Sequence, residues 1–174
     1  MKIITTSSLI PRNGIDTLIQ ACGLLKIKWQ LTIAGDGPER QKLEELAEKL
    51  EIRPKVQFLG RVLNSKIPQL LKTSDIFVRP SRFEGFGASF IEAMAVGLPT
   101  IGTPVGGIVD FLTDNKTGFM VLPDKPIELA KKIEFIHDHP KLAKKVASAG
   151  QKLVRQKYNW DKIADKVFEQ WKIL

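Results

Sequence analysis

Residues 76–102, IFVRPSRFEGFGASFIEAMAVGLPTIG, pass from a short apolar run through a glycine-rich loop into a helical pattern, and out again into a second short apolar run. Ile76–Val78 is apolar at every position, as a strand buried on both faces must be, and Arg79-Pro80-Ser81 closes it because proline cannot donate to a ladder. Ser89–Val96 carries a helical pattern that Gly97-Leu98-Pro99 ends, and Thr100–Gly102 follows as the next strand. A strand, a crossover helix and a second strand form a unit that places the two strands parallel in one sheet.

The same alternation extends in both directions. Upstream, Lys2–Thr6, Trp29–Ala34 and Val56–Leu59 read as strands; downstream, Gly118–Val121 completes a predicted set of six. Between the first two, Ile15, Leu18, Ile19, Cys22 and Leu25 fall three and four apart and draw one apolar stripe on a helix. Cys22 lies on that stripe and reads as core packing rather than a reactive thiol. Gly35-Asp36-Gly37-Pro38 turns out of the second strand, and Pro38 suits the first position of a helix that turns Leu43, Leu46, Ala47 and Leu50 inward. Ile67–Thr73 is a short helix. From Pro126 the pattern is helical throughout: Pro126–His137, Pro140–Lys157 and Asp161–Ile173. The expected fold is α/β, a doubly wound parallel six-stranded sheet with a helical carboxyl-terminal segment, and the expected domain is 1–174.

Length and composition agree. The 174 residues suit a single domain, and 43% hydrophobic with 26% charged residues is ordinary for a globular chain, which excludes disorder and fibrous repeats. No apolar run approaches the roughly 18 residues of a membrane-spanning helix, and MKIITTSSLI reads as a buried strand rather than a secretory leader. A single cysteine excludes an internal disulfide and an all-cysteine metal cage, pointing to a reducing, cytoplasmic setting. His137 and His139 have no third ligand nearby and read as a boundary between helices rather than a metal site. The net charge of +8 suits an anionic partner, or simply a solvated basic surface; no basic run interleaved with aromatics speaks for nucleic acid.

In an open parallel sheet, ligands bind beyond the carboxyl ends of the strands. Four loops there have unusual composition: Ser7–Gly14, Gly35–Pro38, Pro80–Ser89 and Thr103–Gly107. In the third, free N–H groups at Gly87, Ala88 and Ser89 would face outward with the positive end of a helix dipole behind them, a setting for a diphosphate. Glu84 and Glu92 bracket the loop, and a carboxylate accepts two hydrogen bonds at once, as vicinal sugar hydroxyls require. The bland alternative makes Gly85 and Gly87 turn residues and Glu92 a dipole-complementing acid.

Glu84, seven residues and Glu92, within PSRFEGFGASFIEAMAVGLPTIGTPVGGI, resemble the signature of the retaining glycosyltransferases of family four (glycosyl transferases group 1), which have the GT-B fold. LTIAGDGPERQKLEELAEKL, FLGRV, LLKTSDIFVRPS and NWDKIADKVFEQW continue the resemblance in order along almost the whole chain. It implies the Rossmann-like, carboxyl-terminal half of a GT-B enzyme, which binds a UDP-, GDP- or ADP-linked sugar and transfers a hexosyl group. By the same resemblance Glu84 is the catalytic residue at the donor sugar, Glu92 meets the ribose hydroxyls, and the backbone of Phe86, Gly87, Ala88 and Ser89 lies along sugar and phosphates. The Gly60-Arg61-Val62 turn meets the base through main-chain groups. Neither metal nor cofactor is implied, nor membrane contact by this half. The acceptor would bind an amino-terminal domain that this chain does not contain, leaving an inactive half with Trp160, Phe168 and Trp171 exposed where that domain packs.

One departure from the family pattern concerns the loop after the first strand. Ser8 stands where the family has arginine and Asn13 where it has lysine, the two cations expected on the donor diphosphate. Each charge-assisted hydrogen bond is worth about 1.5–3 kcal/mol, so losing both costs roughly 3–6 kcal/mol, or about two to four decades in affinity. Arg12 has the reach to restore part of this. The departure keeps open a second reading, a degenerate non-catalytic homologue or partner-binding subunit of the same fold.

Overall fold

The computed structural model describes residues 1–158. Its strands are β1 (Lys2–Thr6), β2 (Gln30–Ala34), β3 (Val56–Gly60), β4 (Ile76–Val78), β5 (Thr100–Gly102) and β6 (Phe119–Met120), and its helices are α1 (Ile15–Gly23), α2 (Arg40–Lys49), α3 (Ile67–Lys72), α4 (Ala88–Ala95), α5 (Pro126–Asp138) and α6 (Pro140–Lys157). The strands lie in the order β3-β2-β1-β4-β5-β6, all parallel. This is the doubly wound order, in which the chain builds outward from β1 in one direction and then returns to build in the other from β4.

The alternation of side chains along a strand divides the core in two. On one face Ile3 of β1 and Leu31 and Ile33 of β2 pack with Leu18 and Ile19 of α1, Leu43 of α2 and Ile133 of α5. On the other, Ile4 and Phe77 pack with Leu71 of α3, Phe90 and Met94 of α4, and Val154 of α6. Helix α6 belongs to both, with Ala143 and Val146 in the first core and Val154 in the second. Cys22 is buried in the first, where desolvation pushes its thiol pKa up, which keeps it an inert packing group. His139 sits at the junction of α5 and α6, its ring stacked on Phe135 at 4.3 Å.

The sequence places each of these elements, with a few differences at their ends. Helix α2 starts at Arg40 rather than Pro38, because Glu39 donates its N–H to the Leu9 carbonyl at 3.0 Å and Leu9 donates to the Asp36 carbonyl at 3.0 Å. The Gly35–Pro38 turn is thereby bound to the loop after β1 before the helix begins. A helical turn at Gly106–Asp110, after β5, has no apolar period to announce it. The helix expected over 161–173, with Trp160, Phe168 and Trp171, lies outside the described residues. No described helix is long and apolar enough to cross a membrane.

Leu18 of α1, fully buried in the first core, tests this packing. Leu18→Ala is expected to cost about 2–5 kcal/mol, read as a lower denaturant midpoint with an unchanged denaturant slope.

Candidate functional site

Chain order reverses between β1 and β4, so the loops that leave these two strands diverge and open a cleft between them. The cleft has a volume of about 600 Å³. Thr6, Ser7 and Ser8 line it from β1, Ala34, Gly35 and Asp36 from β2, and Arg61 and Val62 from the end of β3. Arg79 and Glu84 enter from the loop after β4, and Ala88, Ser89 and Glu92 from the first turns of α4. Neither Ala88 nor Ser89 has a hydrogen-bond partner for its N–H among the described residues, as expected where a helix begins.

The cleft's charges are organised around Arg79. This residue directly follows β4 and is only 7% exposed, with its guanidinium over the Phe90 ring at 4.7 Å. It forms an ion pair with Glu84 and donates to the Thr6 carbonyl at 3.4 Å, while its buried Nε has no partner among the described residues. Burial lowers its pKa, and the Glu84 carboxylate opposes that effect. The second oxygen of Glu84 accepts the Gly87 N–H at 3.1 Å. Glu92, one turn further along α4, has its pKa raised by desolvation, an effect that Arg79 partly offsets.

Close backbone contacts between loops hold this arrangement. Gly106 has a positive φ of 51° and sits so near the Glu84 carbonyl that any Cβ would collide with it; the next N–H, of Gly107, donates to the Gly85 carbonyl at 3.0 Å. Gly14, at φ 67°, lies against the Pro80 carbonyl in the same way. Arg82 ties the loop after β4 to α1, with Nη2 on Asp16 at 2.7 Å and Nε on Asp124 at 2.7 Å. Thr103 adds a buried bond from its hydroxyl to the Ser81 carbonyl at 2.6 Å. Gly85, by contrast, has open space where a side chain would stand. Glycine in these loops therefore serves mainly to let loop pack on loop.

Of the residues expected at a donor site, Ser8, Arg61, Val62, Glu84, Ala88, Ser89 and Glu92 come together around the cleft. Three do not line it. Asn13 is buried and donates its amide to the Ser8 carbonyl at 2.8 Å, bracing the loop from behind. Phe86 is 53% exposed and packs edge-on to Tyr158. Gly87 forms the left-handed cap of α4, and its N–H, expected to be free, is taken by Glu84 because the carboxylate folds back over the helix start. Arg12 is exposed and off the cleft lining. Arg79 is the residue that periodicity missed; the available signal was a charge directly abutting an apolar strand, where burial demands a partner.

A doubly wound sheet with two acids and a helix N-terminus at its switch point places this cleft where open α/β sheets take their ligands. Residues 1–153 match the family model for glycosyl transferases group 1, and the chain belongs to that family. It is 34% identical over 173 residues to an uncharacterized glycosyltransferase of Methanocaldococcus jannaschii, a match covering 98% of this chain and 44% of that protein. It is 31% identical over 176 residues to the GDP-mannose-dependent alpha-(1-6)-phosphatidylinositol monomannoside mannosyltransferase of Mycobacterium tuberculosis, covering 95% and 46%. The chain thus spans a little under half the length of these relatives. Among solved structures, Anabaena HepE in complex with UDP and glucose superposes with a TM-score of 0.94 at 26% identity, over 99% of this chain and 48% of that one. The carboxyl-terminal domain of a Francisella tularensis group 1 glycosyl transferase, LpcC, gives 0.83 at 26% identity, over 91% of this chain and 87% of that one. The fold is the Rossmann-like, carboxyl-terminal-type domain of GT-B glycosyltransferases.

Gly106→Ala is expected to destabilise the domain by about 2 kcal/mol or more, since the side chain is strained at that φ and strikes Glu84; a thermal midpoint lower by about 4–8 °C is the readout. The raised pKa of Glu92 makes its ionised form a cost to the folded state. That cost is present above the folded pKa and vanishes as pH falls below the unfolded value. Glu92→Gln is therefore expected to raise the melting temperature at pH 7, with the gain fading towards pH 4.

Proposed function

We propose that this domain binds the nucleotide-diphospho-sugar donor of a retaining glycosyltransferase and presents it for transfer of a hexosyl group. The observation that carries the reading is the convergence on one cleft, at the β1/β4 switch point, of Glu84, Glu92 and the N–H groups of Ala88 and Ser89, which have no partner among the described residues. The chemistry suits a leaving diphosphate. As the bond from sugar to phosphate breaks, negative charge grows on the phosphate oxygens, and N–H groups fixed at a helix start stabilise it without reorganising. Glu92 accepts from the ribose hydroxyls, Glu84 accepts from hydroxyls of the sugar, and the main chain after β3, at Arg61 and Val62, faces the base. Ser8 lies along the phosphates, and Asn13 supports it from the second layer. HepE in complex with UDP and glucose supports a donor of this class.

Transfer needs an acceptor held against the sugar. We assign that task to a second domain, the amino-terminal half of the GT-B pair; the greater length of the relatives supports this. On this assignment residues 1–174 bind donor alone and transfer inefficiently, in a cytoplasmic setting and without a metal or other cofactor. One observation favours the rival reading of a non-catalytic homologue: the loop after β1 presents Ser8, with Asn13 turned to its carbonyl, where the family pattern has cations.

Calorimetry with UDP-, GDP- and ADP-glucose separates the two readings. Saturable binding of one of them, weakened about tenfold or more by Glu92→Ala, is the expected result. Absence of binding to all three, even after Ser8→Arg with Asn13→Lys, establishes the non-catalytic reading instead.

A further inference from the structure

A diphosphate entering the cleft needs positive charge, and the loop after β1 supplies none at Ser8 or Asn13. Arg12 projects off the cleft lining, so the cations that line it are Arg61 and Arg79. Arg61 is exposed at the rim. Arg79 is enclosed, 7% exposed, with its guanidinium over the Phe90 ring and reaching across from β4 to the end of β1. Among the described residues its Nε has no partner, and two hydroxyls of the same lining, on Thr6 and Ser89, are also buried without one. A buried guanidinium fork with an unused donor, flanked by unused hydroxyls, is built to take an oxyanion.

We propose that Arg79 grips the donor diphosphate in place of the cations absent from the loop after β1, and that Glu84 occupies its guanidinium until the donor arrives. The proposal rests on the donor reading above. The Glu84 carboxylate pairs with one Nη of Arg79 and accepts the Gly87 N–H with its other oxygen. When a nucleotide sugar enters, the diphosphate takes over the guanidinium, and the sugar hydroxyls give Glu84 new donors in exchange. A nucleoside diphosphate without sugar also displaces Glu84 but returns nothing to it. The pair thus discriminates a loaded donor from the spent nucleotide.

The test is calorimetry on the chain with UDP, GDP and ADP, their glucose conjugates and the corresponding free nucleosides. Arg79→Met is expected to weaken diphosphate binding about ten- to a hundredfold while leaving the nucleoside nearly unchanged, and Arg79→Lys to retain part of the affinity. Glu84→Gln is expected to tighten binding of the nucleoside diphosphate about three- to tenfold by freeing Arg79, and to narrow its gap from the sugar conjugate. Equal affinity of the unaltered chain and a folded Arg79→Met variant overturns the proposal and leaves the donor reading standing. Failure of Glu84→Gln to tighten diphosphate binding overturns the competition between the two anions, and this arm decides the matter if Arg79→Met does not fold. Absence of binding by the unaltered chain that Ser8→Arg with Asn13→Lys restores overturns this proposal and leaves the donor reading standing, whereas absence of binding by both removes the two readings together.

Discussion

The pairing of β1 with β4, Ile3 beside Ile76 and Ile4 beside Phe77, is the constraint from which the rest of the molecule follows. A parallel neighbour cannot be reached by a tight turn, so helices must cross the sheet on both faces. Those helices cover alternate side chains of the same central strands and thereby create two cores. Because connections depart to opposite sides at this one junction, no crossover closes the space above it. The cleft is thus a by-product of winding order, and the residues immediately after Thr6 and Val78 inherit its walls.

Placing an arginine at that junction is expensive in stability terms. Several kcal/mol of desolvation accompany a buried ion, and a buried pair seldom recovers more than it loses relative to apolar side chains of the same size. Arg79 nevertheless lies over Phe90, at the edge of the core that holds Ile4 and Phe77, and is paired there with Glu84. A sequence shaped by packing alone would carry an aliphatic residue after Val78. The pair makes sense as an arrangement kept for what it does with a ligand, and the strained glycine contact at Gly106 keeps Glu84 in reach of it.

Most of the fold was legible because its signals are local. The all-apolar Ile76–Val78, the three-and-four spacing from Ile15 to Cys22 and the Gly97-Leu98-Pro99 break depend on neighbours in sequence and match elements of the structure, while Leu25, read on the same stripe, falls two residues past the end of α1. The start of α2 was not, because it depends on the Leu9 backbone, some thirty residues away. In the site, Glu84, Ser89 and Glu92 could be found from spacing and resemblance. Asn13 could be placed on the right loop but not on the right side of it, since its amide direction is set by the Ser8 carbonyl. Arg79 escaped because a charge abutting an apolar strand says that a partner is needed, not that it lies five residues later across a turn.

Gly85 stands apart from the other glycines of these loops, with no atom of the described residues to crowd an added side chain and no positive φ. Its neighbour Glu84 is the residue whose partners the cleft controls. A cysteine introduced there would carry an environment-sensitive dye beside the mouth of the cleft without disturbing a packed contact, giving an optical sensor of occupancy from a position that the architecture leaves unused.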